Sequence, residues 1–241
     1  MEVITSVNNP LIKEIKKQKV KGLLFLDTPK LIDEAIKSGV NFTNILVEQS
    51  CHFDFLQDQN VTIVSQNIID SLTSVKTNKG IVAVAEKYSK VFEYPKSNFL
   101  VLDGLQDPGN IGTLIRSALG ANFCDIYLIN CTSINNDKLI RSSMGAVFNV
   151  NCYELTRESF IDLFNKDDLK LYCCDMNGKD VFDFRPNEKL GVVIGNEGNG
   201  VTKDIRKICF DTIKIPMANN LESLNAGVSG SIIMYQIAYG R

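Results

Sequence analysis

The chain has 241 residues, of which 44% are hydrophobic and 22% charged, a balance typical of a globular protein that buries a core. No apolar run approaches the roughly 18 residues of a transmembrane helix, and residues 1–21 lack the apolar core of a signal peptide. We therefore predict a cytoplasmic protein with no membrane partner. The net charge of −2 counts mildly against a nucleic-acid binder, which usually carries a basic surface.

Histidine and metal chemistry find little support in the sequence. His52 is the only histidine and lies far from the motifs described below, which argues against histidine acid–base or triad catalysis. The seven cysteines include no CxxC pair, so we predict no metal site. Several cysteines lie in apolar runs, as Cys173 and Cys174 do, and we expect them to be buried reduced thiols.

The first part of the chain, residues 1–92, predicts a small α/β domain. Short runs rich in Val, Ile and Leu predict strands at 22–27, 44–49, 61–66 and 80–87. A helix is predicted at 29–39, where Pro29 lies near the start and Gly39 just past the end. One basic cluster precedes these elements, and it is either a solvated helix face or an RNA contact. Its members are Lys13, Lys16, Lys17, Lys19 and Lys21.

A polar, proline-containing stretch at 92–98 predicts a domain boundary, and residues 97–241 form the second predicted domain. Its strands are predicted at 98–105, 125–130, 170–175, 190–195 and 212–216, and its clearest helices at 111–120 and 225–239. Continuous apolar strands that alternate with helices predict an α/β fold with a mostly parallel sheet and helices on both faces. Ligands of such sheets bind at the carboxyl ends of the strands, where three motif segments follow.

The first segment is residues 103–120. We predict Asn110 as a helix N-cap, and Gly112 as a point of close approach between the first helical turn and a neighbour. Arg116 lies farther along the same helix, whose amino end is suited to an anion. Taken alone, the segment fits a capped connection with a solvated arginine equally well.

The second segment, residues 190–204, is a buried strand that runs into Gly195, Gly198 and Gly200, with Asn196 and Glu197 between them. Glycines after a strand allow a backbone to approach a ligand closely. Their spacing is G-x-x-G-x-G rather than the G-x-G-x-x-G of dinucleotide-binding loops, and the segment lies near the carboxyl terminus. We therefore reject a nicotinamide or flavin site, and a simple tight turn stays the alternative.

The third segment, residues 213–232, contains a strand, a polar loop and the start of the last helix at Ser223, Leu224 and Asn225. Gly227 and Gly230 inside that helix would each cost about 1 kcal/mol relative to alanine. Such a cost is understandable if another backbone packs very closely against them. A merely flexible final helix is the alternative.

In this order the three segments resemble the motifs of the SpoU (TrmH) family, in the SPOUT superfamily of RNA methyltransferases. The family's N-x-G-x-x-x-R motif is matched at 110–116, its G-x-E-G-x-G motif at 195–200, and its I-P-M and S-L-N motifs at 215–217 and 223–225. Residues 139–148 also fit. Residues 1–92 resemble an RNA substrate-binding domain similar to certain ribosomal proteins. They depart from its pattern at Asp27-Thr28 and at residues 78–80.

The resemblance implies methyl transfer from S-adenosylmethionine to a ribose 2′-hydroxyl of RNA, a carboxyl-terminal trefoil knot, and a homodimer with its active site near the subunit interface. Arg116 is then the key catalytic residue, with Asn110, Glu197, Ser223 and Asn225 orienting the reactants. The implied cofactor-binding residues are Gly195, Asn196, Gly198, Ile215, Met217, Ser223, Leu224 and Asn225.

The resemblance leaves the substrate open. The presence of the first domain favours large-subunit rRNA, with tRNA as the second candidate. A non-catalytic RNA-binding or ribosome-assembly protein with the same fold is the main alternative, and an oxidoreductase with another nucleotide cofactor is a more distant one.

Overall fold

The computed structural model describes residues 3–20, 22–73, 75, 77–165, 169–219, 221 and 223–240, except the side chains at positions 19 and 20. Two compact units, Met1–Tyr88 and Ser89–Arg241, divide the chain. This boundary falls slightly before the polar stretch at 92–98, where the sequence predicts it. Phe92 packs with Tyr127, Tyr153 and Phe164 of the second unit, and this aromatic contact places it there rather than in the first domain.

In its described residues, the first unit contains a four-stranded sheet and three α-helices. Strand β2 lies parallel to β3, and β4 runs antiparallel to both β1 and β2 in the order β1-β4-β2-β3. The elements are α1 (Pro10–Val20), β1 (Leu24–Leu26), α2 (Pro29–Lys37), β2 (Phe42–Glu48), β3 (Thr62–Val64), α3 (Gln66–Leu72) and β4 (Ile81–Ala85). The predicted strands and the helix at 29–39 are therefore confirmed.

Helix α1 turns Ile12 and Ile15 into the core of the first unit, where both are fully buried. Lys13 and Lys17 lie on its exposed side. The side chain of Lys19, and Lys21 as a whole, are outside the described residues, so the basic cluster stays a prediction over that part.

The second unit contains a six-stranded sheet in the order β10-β8-β9-β5-β6-β7, with every pair parallel. This confirms the predicted parallel α/β fold. The elements are β5 (Phe99–Asp103), α4 (Pro108–Gly120), β6 (Asp125–Ile129), α5 (Asp137–Ser142), β7 (Asn151–Leu155), α6 (Arg157–Phe164), β8 (Lys170–Asp180), β9 (Leu190–Gly195), α7 (Lys203–Ile208), β10 (Asp211–Lys214) and α8 (Ala226–Tyr239).

Both faces of this sheet are covered, because successive side chains of a strand point to opposite sides. Phe99 and Val101 of β5 pack in an aromatic core that includes Phe160 of α6 and Ile205 of α7. On the other face Ile194 of β9 lies beside α8, which itself packs along α4. Within the described residues, none of the helices combines the length and the apolar character of a transmembrane span.

Candidate functional site

A cavity of about 580 Å³ lies at the carboxyl ends of β9 and β10 and beside the middle of β8, and we call it the carboxyl-edge cavity. All of the predicted cofactor-binding residues line it, together with Glu197. They are Gly195, Asn196, Gly198, Ile215, Met217, Ser223, Leu224 and Asn225. The second and third motif segments therefore share one rim of the sheet, as predicted.

The loop after β9 folds back on itself and forms one wall of this cavity. Asn196 and Gly200 exchange two backbone hydrogen bonds of 3.0 and 2.9 Å, and the Asn196 side chain accepts from the backbone N–H of Gly198. Gly200 has a φ of +66°, which favours glycine. A Cβ on Gly195 would lie 2.1 Å from the carbonyl carbon of Gly200, so glycine is required for the turn to close.

The start of α8 forms another wall. Asn225 is its N-cap, and its side-chain oxygen accepts a hydrogen bond from the Val228 N–H at 3.2 Å. Gly227 and Gly230 face α4, and a Cβ on Gly230 would lie 2.3 Å from Leu114 Cδ2. The close packing expected at these glycines is present, although the neighbouring atoms belong to side chains rather than to a backbone.

Asn110 joins the two walls. Its side-chain Nδ2 donates to Glu197 Oε1 at 3.0 Å, and its Oδ1 accepts from Asn225 Nδ2 at 2.9 Å. The prediction that Asn110 is the N-cap of α4 is wrong. Helix α4 begins at Pro108, and Asp107 caps it by accepting from the Gly109 N–H at 2.9 Å. Asn110 is the third residue of the helix, and its buried side chain links the other motifs.

Glu197 is held as a carboxylate. Partial burial raises its pKa, but hydrogen bonds from the Asn110 side chain and from the backbone N–H groups of Glu197, Asp107 and Gln106 outweigh that effect. The net result is a pKa below the ordinary value of a glutamate. Glu197 is therefore suited to accept hydrogen bonds near neutral pH and unsuited to deliver a proton.

Arg116 lies apart from the carboxyl-edge cavity. It is exposed and lines a second cavity of about 530 Å³, the Arg116 cavity, with residues of α4, Ser142 of α5 and Tyr235 of α8. Six residues along a helix turn a side chain by about 240°, so Arg116 and Asn110 point to different sides of α4. In a single copy of the chain, Arg116 therefore lies apart from the predicted catalytic residues Glu197, Ser223 and Asn225, which line the carboxyl-edge cavity.

A buried ion pair beneath the site escaped the sequence analysis. Asp103 at the end of β5 is fully buried, accepts from Arg157 at 3.0 Å, and accepts twice from Thr202 at 2.7 Å. These contacts tie β5 to α6 and to the segment after the β9 loop. Positions 103, 157 and 202 are too far apart in sequence for local patterns to reveal the pairing.

Metal-ligating side chains and cysteine thiols were both considered in the sequence, where no metal site and buried reduced thiols are predicted. The described part of the chain holds no group of three or more His, Cys, Asp or Glu side chains that fits a metal ion. All seven cysteines are free, and Cys152 and Cys173 are buried while the other five are partly exposed. The expectation of burial is therefore confirmed for Cys173 and wrong for Cys174.

Comparisons with known proteins place the chain in a family. Residues 97–235 match the model of the SpoU rRNA Methylase family, and the chain belongs to that family. A relative from Bacillus subtilis (strain 168), a 23S rRNA (guanosine(2553)-2′-O)-methyltransferase, is 27% identical over 247 residues. The alignment covers 98% of this chain and 99% of the relative.

Solved structures share the fold. The AdoMet-bound rRNA methyltransferase from Sinorhizobium meliloti matches with a TM-score of 0.84 at 21% identity, covering 98% of this chain and 96% of that one. The SpoU methyltransferase AviRb from Streptomyces viridochromogenes, in complex with AdoMet, matches with a TM-score of 0.81 at 23% identity, covering 94% of each chain. At these identities the likeness establishes the α/β architecture.

Proposed function

We propose that the protein is a cytoplasmic RNA methyltransferase that transfers a methyl group from S-adenosylmethionine to a ribose 2′-hydroxyl of large-subunit rRNA. The observation that carries this proposal is the carboxyl-edge cavity, in which the two glycine- and asparagine-containing motifs of a SpoU family member meet. The Bacillus subtilis relative, aligned over nearly the whole of both chains, carries that activity on 23S rRNA in its name.

The cavity fits the cofactor in size and in chemistry. Its volume of about 580 Å³ lies within the range of small-molecule sites. Apolar side chains such as Ile215 and Leu224 suit an adenine ring, while backbone groups of Gly195 and the side chain of Ser223 offer polar contacts. S-adenosylmethionine, when bound, supplies the electrophilic methyl group.

The protein's own residues position the reactants. Asn110, Glu197 and Asn225 form a hydrogen-bonded chain that fixes the two cavity walls relative to each other. Ser223, beside Asn225 on the rim, is placed to orient the ribose. Arg116 binds the RNA phosphate next to the target and orients the 2′-hydroxyl, because a guanidinium is a strong donor and a poor base. Such positioning lowers the barrier of an in-line displacement by several kcal/mol.

A homodimer accounts for the separation between Arg116 and the carboxyl-edge cavity, because Arg116 of one copy can act at the cavity of the other. The outer side of α8 carries Val228, Tyr235 and Tyr239, which are 46%, 46% and 61% exposed. Their spacing places them on one stripe of the helix. We propose that a second copy covers this stripe and brings its Arg116 to the cavity of the first copy.

Two further features are proposed from the family resemblance. The polypeptide from β10 to α8, which forms much of the cavity wall, is the segment proposed to thread as a trefoil knot. The unit Met1–Tyr88 is proposed to be an RNA substrate-binding domain similar to certain ribosomal proteins. Its exposed Lys13 and Lys17 support this role.

A subunit-mixing experiment tests the shared active site. Arg116→Ala and Asn225→Ala are each expected to abolish methyl transfer, while Arg116→Ala keeps its affinity for S-adenosylmethionine within a few-fold. Unfolding and refolding the two variants together should restore roughly a quarter of the wild-type activity, because half of the dimers then hold one intact composite site. Near-normal turnover by Arg116→Ala alone, or no recovery on mixing, contradicts this arrangement.

Two alternatives remain open to test. Several relatives carry the name tRNA/rRNA methyltransferase, which keeps tRNA as a second substrate class. Methylation of purified tRNA but not of rRNA would select it. Calorimetry with S-adenosylmethionine tests the alternative of a non-catalytic assembly protein, which predicts no binding.

A further inference from the structure

A bulge in strand β8 borders the carboxyl-edge cavity outside the three motif segments. The pairing of β8 with β10 shifts register between Thr212 and Ile213, which leaves residues 174–178 as a bulge, the β8 bulge. A Cβ on Gly178 would lie 2.6 Å from the backbone nitrogen of Ile213, so the bulge closes tightly against β10. Asp175 of this bulge lines the cavity.

The carboxylate of Asp175 is fixed in place and keeps free acceptor capacity. Its Oδ1 accepts from the Asn177 N–H at 3.1 Å, and its Oδ2 accepts from Arg206 Nη2 at 2.6 Å. These two bonds, the Asn177 bond above all, outweigh partial burial and hold the pKa of Asp175 below the ordinary value of an aspartate. An ionised carboxylate offers about four acceptor sites, so acceptor sites remain for a ligand.

The carboxylate, rather than the cation paired with it, belongs to the cavity. The described residues that line the cavity include Asp175 but not Arg206. Their other charged members are Glu197 and Lys214. Glu197 already accepts from Asn110 at 3.0 Å and from backbone N–H groups, and those bonds hold the two cavity walls together. Asp175 is therefore the carboxylate on this described wall that is available to a ligand.

The order of the strands places Asp175 opposite the middle of the cofactor. Strand β8 lies between β10, which leads to the apolar wall at Ile215, and β9, which leads to the loop at Gly195. The adenine ring is proposed to lie on the apolar wall, and the reacting methyl group must lie towards Asn225. The ribose joins the adenine to the sulfonium, so it comes between them, beside the β8 bulge.

We propose that Asp175 binds the cofactor by accepting a hydrogen bond from a ribose hydroxyl of its adenosine. This inference rests on the proposed function, since S-adenosylmethionine supplies the ribose. Hydrogen bonds from a hydroxyl to a carboxylate are short and strong, and acidic side chains at a sheet edge bind ribose in dinucleotide-binding folds as well. Arg206 is then a positioning residue, because it orients the carboxylate without lining the cavity.

Asp175→Asn removes the charge and keeps the shape, and Asp211→Asn is the matched control. Asp211 also accepts from a backbone N–H, that of Thr212 at 2.7 Å, and pairs with Lys179 at 2.7 Å, but it does not line the described cavity wall. Titration calorimetry of the full chain with S-adenosylhomocysteine should show an affinity about tenfold or more weaker in Asp175→Asn, the usual worth of a hydrogen bond to a charged group. Asp211→Asn should change it less than about twofold.

The 2′-deoxy and 3′-deoxy forms of S-adenosylhomocysteine test the ribose contact without any change to the protein. The wild type should bind at least one of them about tenfold more weakly than the parent compound, whereas Asp175→Asn should bind all three within about twofold of one another. Equal binding of all three by the wild type, or the same hydroxyl-dependent loss in Asp175→Asn, overturns the inference.

Failure of this inference is distinct from failure of the proposed function. A wild type that binds S-adenosylhomocysteine and its deoxy forms equally rejects the contact between Asp175 and the ribose and leaves the methyltransferase proposal standing. A wild type that binds neither S-adenosylmethionine nor S-adenosylhomocysteine rejects the proposed function, and the inference with it.

Discussion

Replacing Asn110 by alanine removes a side chain that links the β9 loop to the start of α8. The amide donates to the carboxylate of Glu197 at 3.0 Å and accepts from Asn225 at 2.9 Å. Asn110 itself is only 8% exposed. Without the amide, the buried position is left as a small void, and Asn225 loses one partner while it still caps α8.

The expected loss of folding stability follows from the two hydrogen bonds that Asn110 makes. A hydrogen bond to a charged group contributes about 1.5–3 kcal/mol and a neutral one about 1 kcal/mol. Because Glu197 is exposed and water replaces part of its bond, we expect the free energy of unfolding to fall by about 2 kcal/mol. The affinity for S-adenosylmethionine should fall at least about tenfold, which corresponds to about 1.4 kcal/mol, since both cavity walls lose their link.

Urea unfolding and titration calorimetry measure these two quantities. Asn151→Ala is the matched control, because Asn151 Nδ2 donates to Asp125 Oδ1 at 2.8 Å at the amino ends of β6 and β7. That edge of the sheet is opposite the cavity. The control should lose comparable stability and keep its affinity for the cofactor. Equal cofactor affinities in Asn110→Ala and the wild type would refute the role given to this linkage.

Three further changes probe the site and its support. Gly195→Ala places a Cβ 2.1 Å from the Gly200 carbonyl carbon, so we expect at least about a tenfold loss of cofactor affinity by calorimetry, and a change below twofold would show that the loop adapts. The folded-state pKa of Glu197 is lowered, so its stabilisation is present above the unfolded pKa and is lost as pH falls through the folded value. The difference in melting temperature between wild type and Glu197→Gln should therefore shrink as pH falls below the ordinary glutamate pKa of about 4.3, and a difference that stays constant during acidification contradicts this. Arg157→Ala leaves the buried carboxylate of Asp103 short of its cation and should cost about 3 kcal/mol in urea unfolding, whereas a loss below 1 kcal/mol would mean that Thr202 suffices.

Local sequence signals predicted the elements that frame the site. The last helix is predicted to start at Ser223, Leu224 and Asn225, and it begins directly after Asn225, whose side chain caps it by a contact with a residue only three positions away. The cap of α4 was misassigned to Asn110, although Pro108 favours the first position of a helix and therefore indicates Asp107. Strand β8 was predicted to end at 175 and continues to Asp180, because pairing with β10 resumes after a register shift.

Local sequence signals do not predict contacts between segments that are far apart in the sequence. The link from Asn110 to Glu197 and Asn225 depends on where three strands end in the sheet, which no short window encodes. The position of Arg116 on a different side of α4 from Asn110 does follow from helical geometry. The motif spacing alone places Asn110 and Arg116 on one helix, whereas the separation of Arg116 from the carboxyl-edge cavity depends on how the helix packs on the sheet.

The most direct test of the proposed activity is transfer of a labelled methyl group from S-adenosylmethionine to large-subunit rRNA, followed by mass spectrometry of the digested nucleosides. Wild-type protein should yield a single 2′-O-methylated nucleoside, and Arg116→Ala should yield none while it still binds the cofactor. A label on a base rather than on ribose, or full transfer by Arg116→Ala, would contradict ribose 2′-O-methylation by this site.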